Sequence, residues 1–246
     1  MKFGIVGYGR FGKLWAKALS AFGTVMVCEK AFNPQTTEDA IQIVDLQQVA
    51  QADMVFLLVP ISEFESCCQQ IKPFLKPEAV VVDCCSVKVH PVTVMQKTFV
   101  PTQAIIATHP LFGPDSVQRT GGFQDHKIVL CPVRCSAQQQ TKLQNIFEEM
   151  GLKVLLSSPD EHDRQMANSQ ALVHYIGRGL AALDLHPQEL ATPDFQALLN
   201  INKMVVNDTW RLFLDMHQYN TYAKQIRKKF IHQLLQIEKA IDHAKA

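Results

Sequence analysis

The sequence has almost no excess of charge of either sign. Its 24 Lys and Arg residues face 23 Asp and Glu residues, which leaves a formal net charge of +1. The basic field typical of nucleic-acid-binding proteins is therefore absent. No apolar run is long enough to cross a bilayer, and Met1-Lys2 leads directly into a predicted strand without signal-peptide features. We expect a cytoplasmic globular protein with neither nucleic acid nor membrane as a partner.

Cysteine is present but lacks the spacing of a metal site. The seven Cys residues include adjacent pairs such as Cys84-Cys85, and none follows the C-x-x-C pattern. An odd number of this kind favours reduced thiols over a disulfide framework. We predict no metal site, and we interpret Cys84 and Cys85 as small buried hydrophobic side chains.

Short apolar runs alternate with helical segments over the first two thirds of the chain. This alternation predicts a Rossmann-type, doubly wound parallel α/β sheet for residues 1–157. Residues 33–45 are polar and without periodicity, so we predict a loop or a short helix there. Residues 158–246 contain no strand pattern and predict an all-α domain.

A glycine motif follows the first predicted strand. Gly7-Tyr8-Gly9-Arg10-Phe11-Gly12 is G-x-G-x-x-G between a strand and an amphipathic helix, the context in which the pattern indicates dinucleotide binding. Gly7 allows the tight turn, Gly9 admits a pyrophosphate, and Gly12 lets the helix pack closely. The predicted cofactor-binding residues are Gly7, Gly9, Arg10, Phe11, Gly12, Glu29, Val59 and Pro60.

Glu29 ends the second predicted strand. A carboxylate there would accept hydrogen bonds from the adenosine ribose and repel the 2′-phosphate of NADP, so NAD is the predicted cofactor. The cations Lys30 and Arg10 would instead attract the 2′-phosphate and favour NADP. The alternative for Glu29 is a solvated residue at the end of the strand, without a role in binding.

Ser86 and His109 follow two different predicted strands. Each comes just after an apolar run, at the edge of the sheet where open α/β folds bind ligands. We predict that His109 lies at the carboxyl end of its strand on a stiff loop, because Pro110 and Pro114 exclude a strand ladder or a helix interior there. The alternative for Ser86 is a helix N-cap.

The second domain begins with a capping signature. Ser158 and Glu161 form a predicted capping box with Pro159 at the first helical position, and His162 falls in the first turn. The helix macrodipole favours a neutral imidazole there, although a surface His without a role is the alternative. The last helix carries one apolar stripe, formed by Tyr222, Ile226, Phe230, Leu234, Ile237 and Ile241. So small a domain cannot bury its stripes alone, which predicts a homodimer.

Taken together, these motifs resemble the prephenate and arogenate dehydrogenases of tyrosine biosynthesis over nearly the whole chain. The carriers are the glycine motif, Asp83-Cys84-Cys85-Ser86-Val87-Lys88, His109-Pro110-Leu111-Phe112-Gly113-Pro114-Asp115-Ser116 and Glu161-His162-Asp163-Arg164. The resemblance implies a nucleotide-binding domain, a helical dimerisation domain, and oxidative decarboxylation of prephenate with NAD, with arogenate as the alternative substrate.

The resemblance also implies roles for individual residues. His109 would take the proton of the substrate hydroxyl, Ser86 would hydrogen-bond that hydroxyl, and His162 would help to position the substrate. Lys203, five residues before Asp208, stands near the position of a family Arg that binds a substrate carboxylate, but it lacks the bidentate fork. Its alternative is a solvated helix residue.

Two other readings stay open. One is a β-hydroxyacid-type dehydrogenase with Lys88 as the catalytic residue. The other is a nucleotide-sensing protein without turnover.

Overall fold

A computed structural model describes residues 1–29 and 41–244. The chain divides into two compact units, Met1–His162 and Asp163–Ala246. The predicted boundary lay between residues 157 and 158. The sequence prediction of a Rossmann-type sheet followed by a helical region is confirmed.

Within its described residues, the first unit forms one sheet of eight strands in the order β3-β2-β1-β4-β5-β6-β7-β8. All neighbours are parallel except β6 and β7. The strands are β1 (Lys2–Val6), β2 (Thr24–Cys28), β3 (Ile41–Ile43), β4 (Met54–Leu57), β5 (Val80–Asp83), β6 (Ala104–Pro110), β7 (Lys127–Arg134) and β8 (Lys153–Leu156). The strand order reverses at β1, where open α/β sheets bind their ligands.

Helices connect these strands, as parallel pairing requires. They are α1 (Arg10–Leu19), α2 (Leu46–Val49), α3 (Phe64–Ile71), α4 (Val89–Thr98), α5 (Pro114–Thr120) and α6 (Ala137–Glu149). Short 3₁₀ turns, Ile61–Glu63 and Lys72–Phe74, flank α3.

Two local predictions need correction. Residues 41–43 form an edge strand instead of a loop or helix, because parallel pairing with β2 stabilises a segment whose own apolar signal is short. Residues 44–45 of that interval are loop, as predicted, and residues 33–40 lie outside the described residues. Pro110 also belongs to β6: it pairs with Ile128, and the ladder continues through the N–H of Leu111, which donates to the carbonyl of Lys127 at 2.9 Å. Proline lacks only the donor, so a position that needs no N–H tolerates it.

An aromatic cluster anchors the stretch that follows His109. Trp15 of α1 is fully buried, and its ring lies 5.4 Å from that of Phe11 and 6.3 Å from that of Phe112. Phe112 is also buried. Core packing therefore holds the residues after β6 against α1, the helix of the glycine motif.

In its described residues the second unit consists of helices joined by loops, without strands. Helix α7 (Pro159–Met166) contains the boundary between the units, and a π-helical turn, Ala167–Ala171, leads into α8 (Leu172–Ala181). The remaining helices are α9 (Pro193–Val206), α10 (Trp210–Tyr219) and α11 (Ala223–His243). The predicted cap of α7 is present, since the Ser158 hydroxyl accepts the N–H of Glu161 at 3.2 Å.

The buried apolar core of this second unit is small. One cluster joins Ala167, Ala171 and Ala223, and a Cβ on Gly177 of α8 would lie 2.4 Å from a methyl group of Val205 on α9. The apolar residues of α11 that the stripe predicted remain exposed at Leu234, Ile237 and Ile241. Across the described ranges, no helix combines the length and apolar character needed to traverse a bilayer.

Candidate active site

The glycine motif forms a tight turn from β1 into α1. Gly7 has φ +103°, and a Cβ there would lie 2.6 Å from the carbonyl oxygen of Leu58. A Cβ on Gly12 would lie 2.2 Å from the carbonyl oxygen of Gly7. Both positions therefore require glycine, the first for its backbone conformation and the second for close approach.

The start of α1 suits a pyrophosphate. Gly9 is the N-cap residue and supplies no side-chain cap, so the first N–H groups of the helix have no side-chain acceptor from that residue. A Cβ added at Gly9 would meet no atom within 4 Å. Open space beside the first N–H groups of a helix is the arrangement that binds phosphate in dinucleotide folds.

The other predicted cofactor residues surround this turn. Arg10, the first residue of α1, forms an exposed ion pair with Asp115 at the start of α5. The Phe11 side chain is half-buried and packs on Trp15. Val59 is half-buried and Pro60 exposed, immediately after the end of β4.

Two carboxylates follow the neighbouring strands β2 and β3. Glu29 accepts the N–H of Tyr8 at 2.7 Å, which ties it to the glycine turn. A pocket beside it is lined by Cys28, Glu29, Val44, Asp45 and Leu46. Burial, followed by the charges of Glu29 and Asp45, raises the pKa of Cys28, so both carboxylates act on the same space. Sequence reasoning missed Asp45, although Asp45 and Gln48 form a capping box that the Asp-x-x-Gln spacing could have indicated.

Ser86 lies in the loop between β5 and α4 and is half-buried. The N-cap of α4 is Lys88, so the alternative role of Ser86 as a helix cap is wrong. Among the residues that the structure describes, none forms a hydrogen bond with its side chain. The hydroxyl of Ser86 is therefore available to a ligand.

His109 and His162 meet directly. His109 is on β6 and His162 in the first turn of α7, and the distance from Nδ1 of His109 to Nε2 of His162 is 2.8 Å. The two side chains are 3% and 2% exposed. The register pairs Asp83 of β5 with Ala107 of β6, so Ser86 and His109 both leave the carboxyl ends of neighbouring strands.

This environment keeps His109 neutral. Burial, the neighbouring His162 and the charge of Lys88 hold its pKa well below the ordinary value for histidine. A buried neutral imidazole with one nitrogen bonded to a second histidine has its other nitrogen, Nε2, for proton transfer.

Lys88 and Asp83 form a buried ion pair next to the strand that carries His109. Lys88 and Asp83 are fully buried, and the Lys88 ammonium donates to the Asp83 carboxylate and to the carbonyl of Thr108. Lys88 is thus bonded inside the protein, which does not favour its reading as the catalytic group of a β-hydroxyacid-type enzyme.

Two cations of the second unit, Lys203 and Arg178, differ in exposure and in contacts. Lys203 is exposed on α9. Arg178 donates to the carbonyl of Asp208, and its guanidinium lies 5.5 Å from the ring centre of Trp210. The Arg178 side chain therefore contributes to helix packing. The carboxylate-binding role of Lys203 stays a prediction.

The chain matches family models over most of its length. Residues 17–156 match "Prephenate dehydrogenase, nucleotide-binding domain", and residues 179–245 match "TYRAAT1-like, C-terminal domain". The first match alone spans more than half of the chain.

Several individual proteins are similar to it. A probable arogenate/prephenate dehydrogenase of Methanocaldococcus jannaschii is 25% identical over 80% of this chain and 45% of its own length. Arogenate dehydrogenase 1, chloroplastic, of Arabidopsis thaliana is 28% identical over 94% of this chain and 37% of its own length. The chain thus spans less than half the length of these two relatives.

The fold is shared with solved structures. The crystal structure of prephenate dehydrogenase from A. aeolicus, in complex with hydroxyphenyl propionate and NAD+, aligns with a TM-score of 0.77 at 19% identity, covering 99% of this chain and 91% of that one.

Proposed function

The chain belongs to the prephenate dehydrogenase family, and from that premise we propose that it catalyses the NAD-dependent oxidative decarboxylation of prephenate in tyrosine biosynthesis. The observation that carries the proposal is the hydrogen-bonded pair of buried histidines at the carboxyl end of β6. The substrate implied by the family is a cyclohexadienol with a ring carboxylate at C1 and a hydroxyl at C4. Bound NAD supplies the acceptor for the hydride that leaves C4.

The chain's own residues handle the proton. His109 takes the proton of the C4 hydroxyl at Nε2, because its Nδ1 is engaged by His162. For Nε2 to accept a proton, Nδ1–H must donate to Nε2 of His162, so His162 fixes both the tautomer and the ring orientation. Ser86 donates to the same hydroxyl oxygen and orients it. Loss of CO2 from C1 then leaves the ring aromatic.

The site also supports a cofactor preference. A 2′-phosphate near Glu29 and Asp45 would meet two carboxylates, whereas ribose hydroxyls would find acceptors. NAD is therefore the proposed cofactor over NADP. Binding would use the open space at Gly9 and the first turn of α1 for the pyrophosphate.

Arogenate is a second candidate substrate. The Arabidopsis arogenate dehydrogenase aligns with 94% of this chain. Arogenate carries an ammonium where prephenate has a keto group, and the proton transfer at C4 is the same for both.

We also propose a homodimer formed through the second unit. Five apolar side chains of α11 are 42–56% exposed in the single chain: Ile231, Leu234, Leu235, Ile237 and Ile241. Covering them removes apolar surface from water, which stabilises association. The cytoplasmic location stays a prediction, because the Arabidopsis relative carries a chloroplast designation.

Parallel assays test the proposal. The purified chain is mixed with NAD and either prephenate or arogenate, and the absorbance of the reduced cofactor is followed. We expect turnover with prephenate, and a loss of about 10²–10⁴-fold in His109→Asn, the usual range for a general base. No reduction of NAD or NADP with either substrate would refute the proposed activity, and a higher kcat/KM for arogenate would replace prephenate as the substrate.

A further inference from the structure

The ion pair of Lys88 and Asp83 joins the ends of two neighbouring strands. Asp83 is the last residue of β5, and Thr108 on β6 directly precedes His109. Lys88 stands between them and donates to the carboxylate of Asp83 and to the backbone carbonyl of Thr108. Thr108 is bound a second time, because its hydroxyl donates to the carbonyl of Asp83 at 2.7 Å.

Burying this pair is costly, so it needs a compensating role. Both side chains are 0% exposed, and desolvating two ions often offsets their attraction. Oδ2 of Asp83 has no hydrogen-bond partner among the residues described, whereas Oδ1 accepts the N–H of Cys85 at 2.8 Å as well as Lys88. Replacing a buried ion pair by apolar residues of similar size is often neutral or stabilising, so stability alone does not explain Lys88.

We infer that Lys88 is a positioning residue for the proposed reaction, in which its ammonium, held by Asp83, fixes the Thr108 carbonyl and thereby the backbone that carries His109. The inference rests on the proposed function of His109 as the base. Lys88 itself is fully buried and influences the reaction only through His109.

The charge of Lys88 has a second effect on the same histidine. Among the described residues, the titratable groups that act on His109 are His162 from α7 and Lys88 from the loop before α4. Asp83 and Cys84 at the end of β5 contact Lys88 and Thr108 instead, and the partner of His109 on β7 is the apolar Val129. Of these, His162 and Lys88 act with burial to lower the pKa of His109. A base kept neutral accepts a proton over a wider range of acidic pH.

A double variant removes the ammonium without leaving a buried charge unpaired. Lys88→Met with Asp83→Asn keeps the side-chain volumes and the acceptor for Cys85. The matched control is Lys76→Met with Asp53→Asn, which removes the more exposed pair at the opposite end of the sheet, where Nζ and Oδ1 are 3.4 Å apart. If the first variant does not fold, Lys88→Gln with Asp83→Asn fills the site with polar groups and removes the same charges.

Two measurements decide the inference. In NMR titration of the His109 imidazole, assigned with His109→Asn, we expect a higher pKa in the Lys88 variant and an unchanged value in the control. In kinetics we expect kcat to fall by about 10²-fold, the usual effect of misplacing a reacting group by about 1 Å, with the Kd for NAD unchanged. The titration reports the charge of Lys88 on His109, and kcat reports the position of His109. A merely structural lysine would leave kcat unchanged once folding is matched.

The titration separates this inference from the proposed function. It needs no substrate, so it reports on Lys88 even if the wild-type chain turns over neither prephenate nor arogenate. An unchanged His109 titration and an unchanged kcat in the Lys88 variant would overturn the role of Lys88 and leave the proposed activity standing.

Discussion

The hydrogen bond between His109 and His162 makes a quantitative prediction about catalysis. In His162→Leu the buried Nδ1 of His109 loses the partner that lies 2.8 Å away. Leaving a buried polar group unsatisfied costs about 1–3 kcal/mol, and each 1.4 kcal/mol corresponds to about tenfold in rate. If that cost falls on the productive orientation of His109, kcat falls about 5- to 150-fold at pH 8.

The same variant shifts the pH dependence. His162 is one of the causes that lower the pKa of His109, so its removal raises that pKa. The acid limb of kcat/KM, which reports the free enzyme, then moves to higher pH. The loss of activity in His162→Leu is therefore larger at pH 6 than at pH 8.

Three variants test this reasoning. His162→Gln places an amide near the former Nε2 and restores most of the loss. His186→Leu removes an exposed histidine, 72% accessible at its side chain, and leaves kcat unchanged. Because His109 and His162 act as a unit, His162→Leu combined with His109→Asn loses no more than His109→Asn alone. Full kcat and an unmoved acid limb in His162→Leu would refute the orienting role.

Four further outcomes are expected. Asp45→Asn combined with Glu29→Gln reduces the ratio of kcat/KM for NAD to that for NADP, and an unchanged ratio places cofactor selection elsewhere. Ile237→Glu converts the dimer to a monomer, as measured by light scattering. A wild-type chain that is monomeric at micromolar concentration contradicts the proposed interface. Lys203→Ala raises KM for the substrate about 10-fold or more by removing a hydrogen bond to a charged group, while Lys203→Arg retains binding; an unchanged KM in Lys203→Ala excludes this role. Burial, His162 and Lys88 lower the pKa of His109 in the folded chain, so the unfolded chain takes up a proton at His109 first as pH falls below about 6.5. The free energy of unfolding therefore decreases below that pH. It decreases less steeply in His109→Asn, which lacks this group.

Local signals in the sequence were sufficient for the nucleotide-binding turn and the strand ends. Gly7 and Gly12 are required by a backbone angle and a close approach that the strand–glycine–helix pattern already implies. Ser86 and His109 follow apolar runs, and parallel strands bring their carboxyl ends to one edge, so their neighbourhood could be predicted. The Ser158-Pro159 signal likewise marks the observed start of α7.

The sequence predicted β3 poorly, because a strand of three residues depends on its neighbour. Ile41–Ile43 has little apolar signal of its own and is stabilised by pairing with β2. Asp45 follows it, so the second carboxylate of the pocket was missed together with the strand. Strand pairing is a tertiary interaction, and periodicity within a single segment does not report it.

Tertiary structure alone decided how the catalytic candidates are connected. His109 and His162 are 53 residues apart, and Lys88 reaches Thr108 across 20 residues. Residue types and spacing indicated that each could serve the site, with His162 beside the substrate and Lys88 as a rival catalyst. In the fold, His162 is the hydrogen-bond partner of the proposed base, and Lys88 binds the backbone of the residue before it. A buried polar group needs a hydrogen-bond partner, and only the packed chain determines which group is within reach.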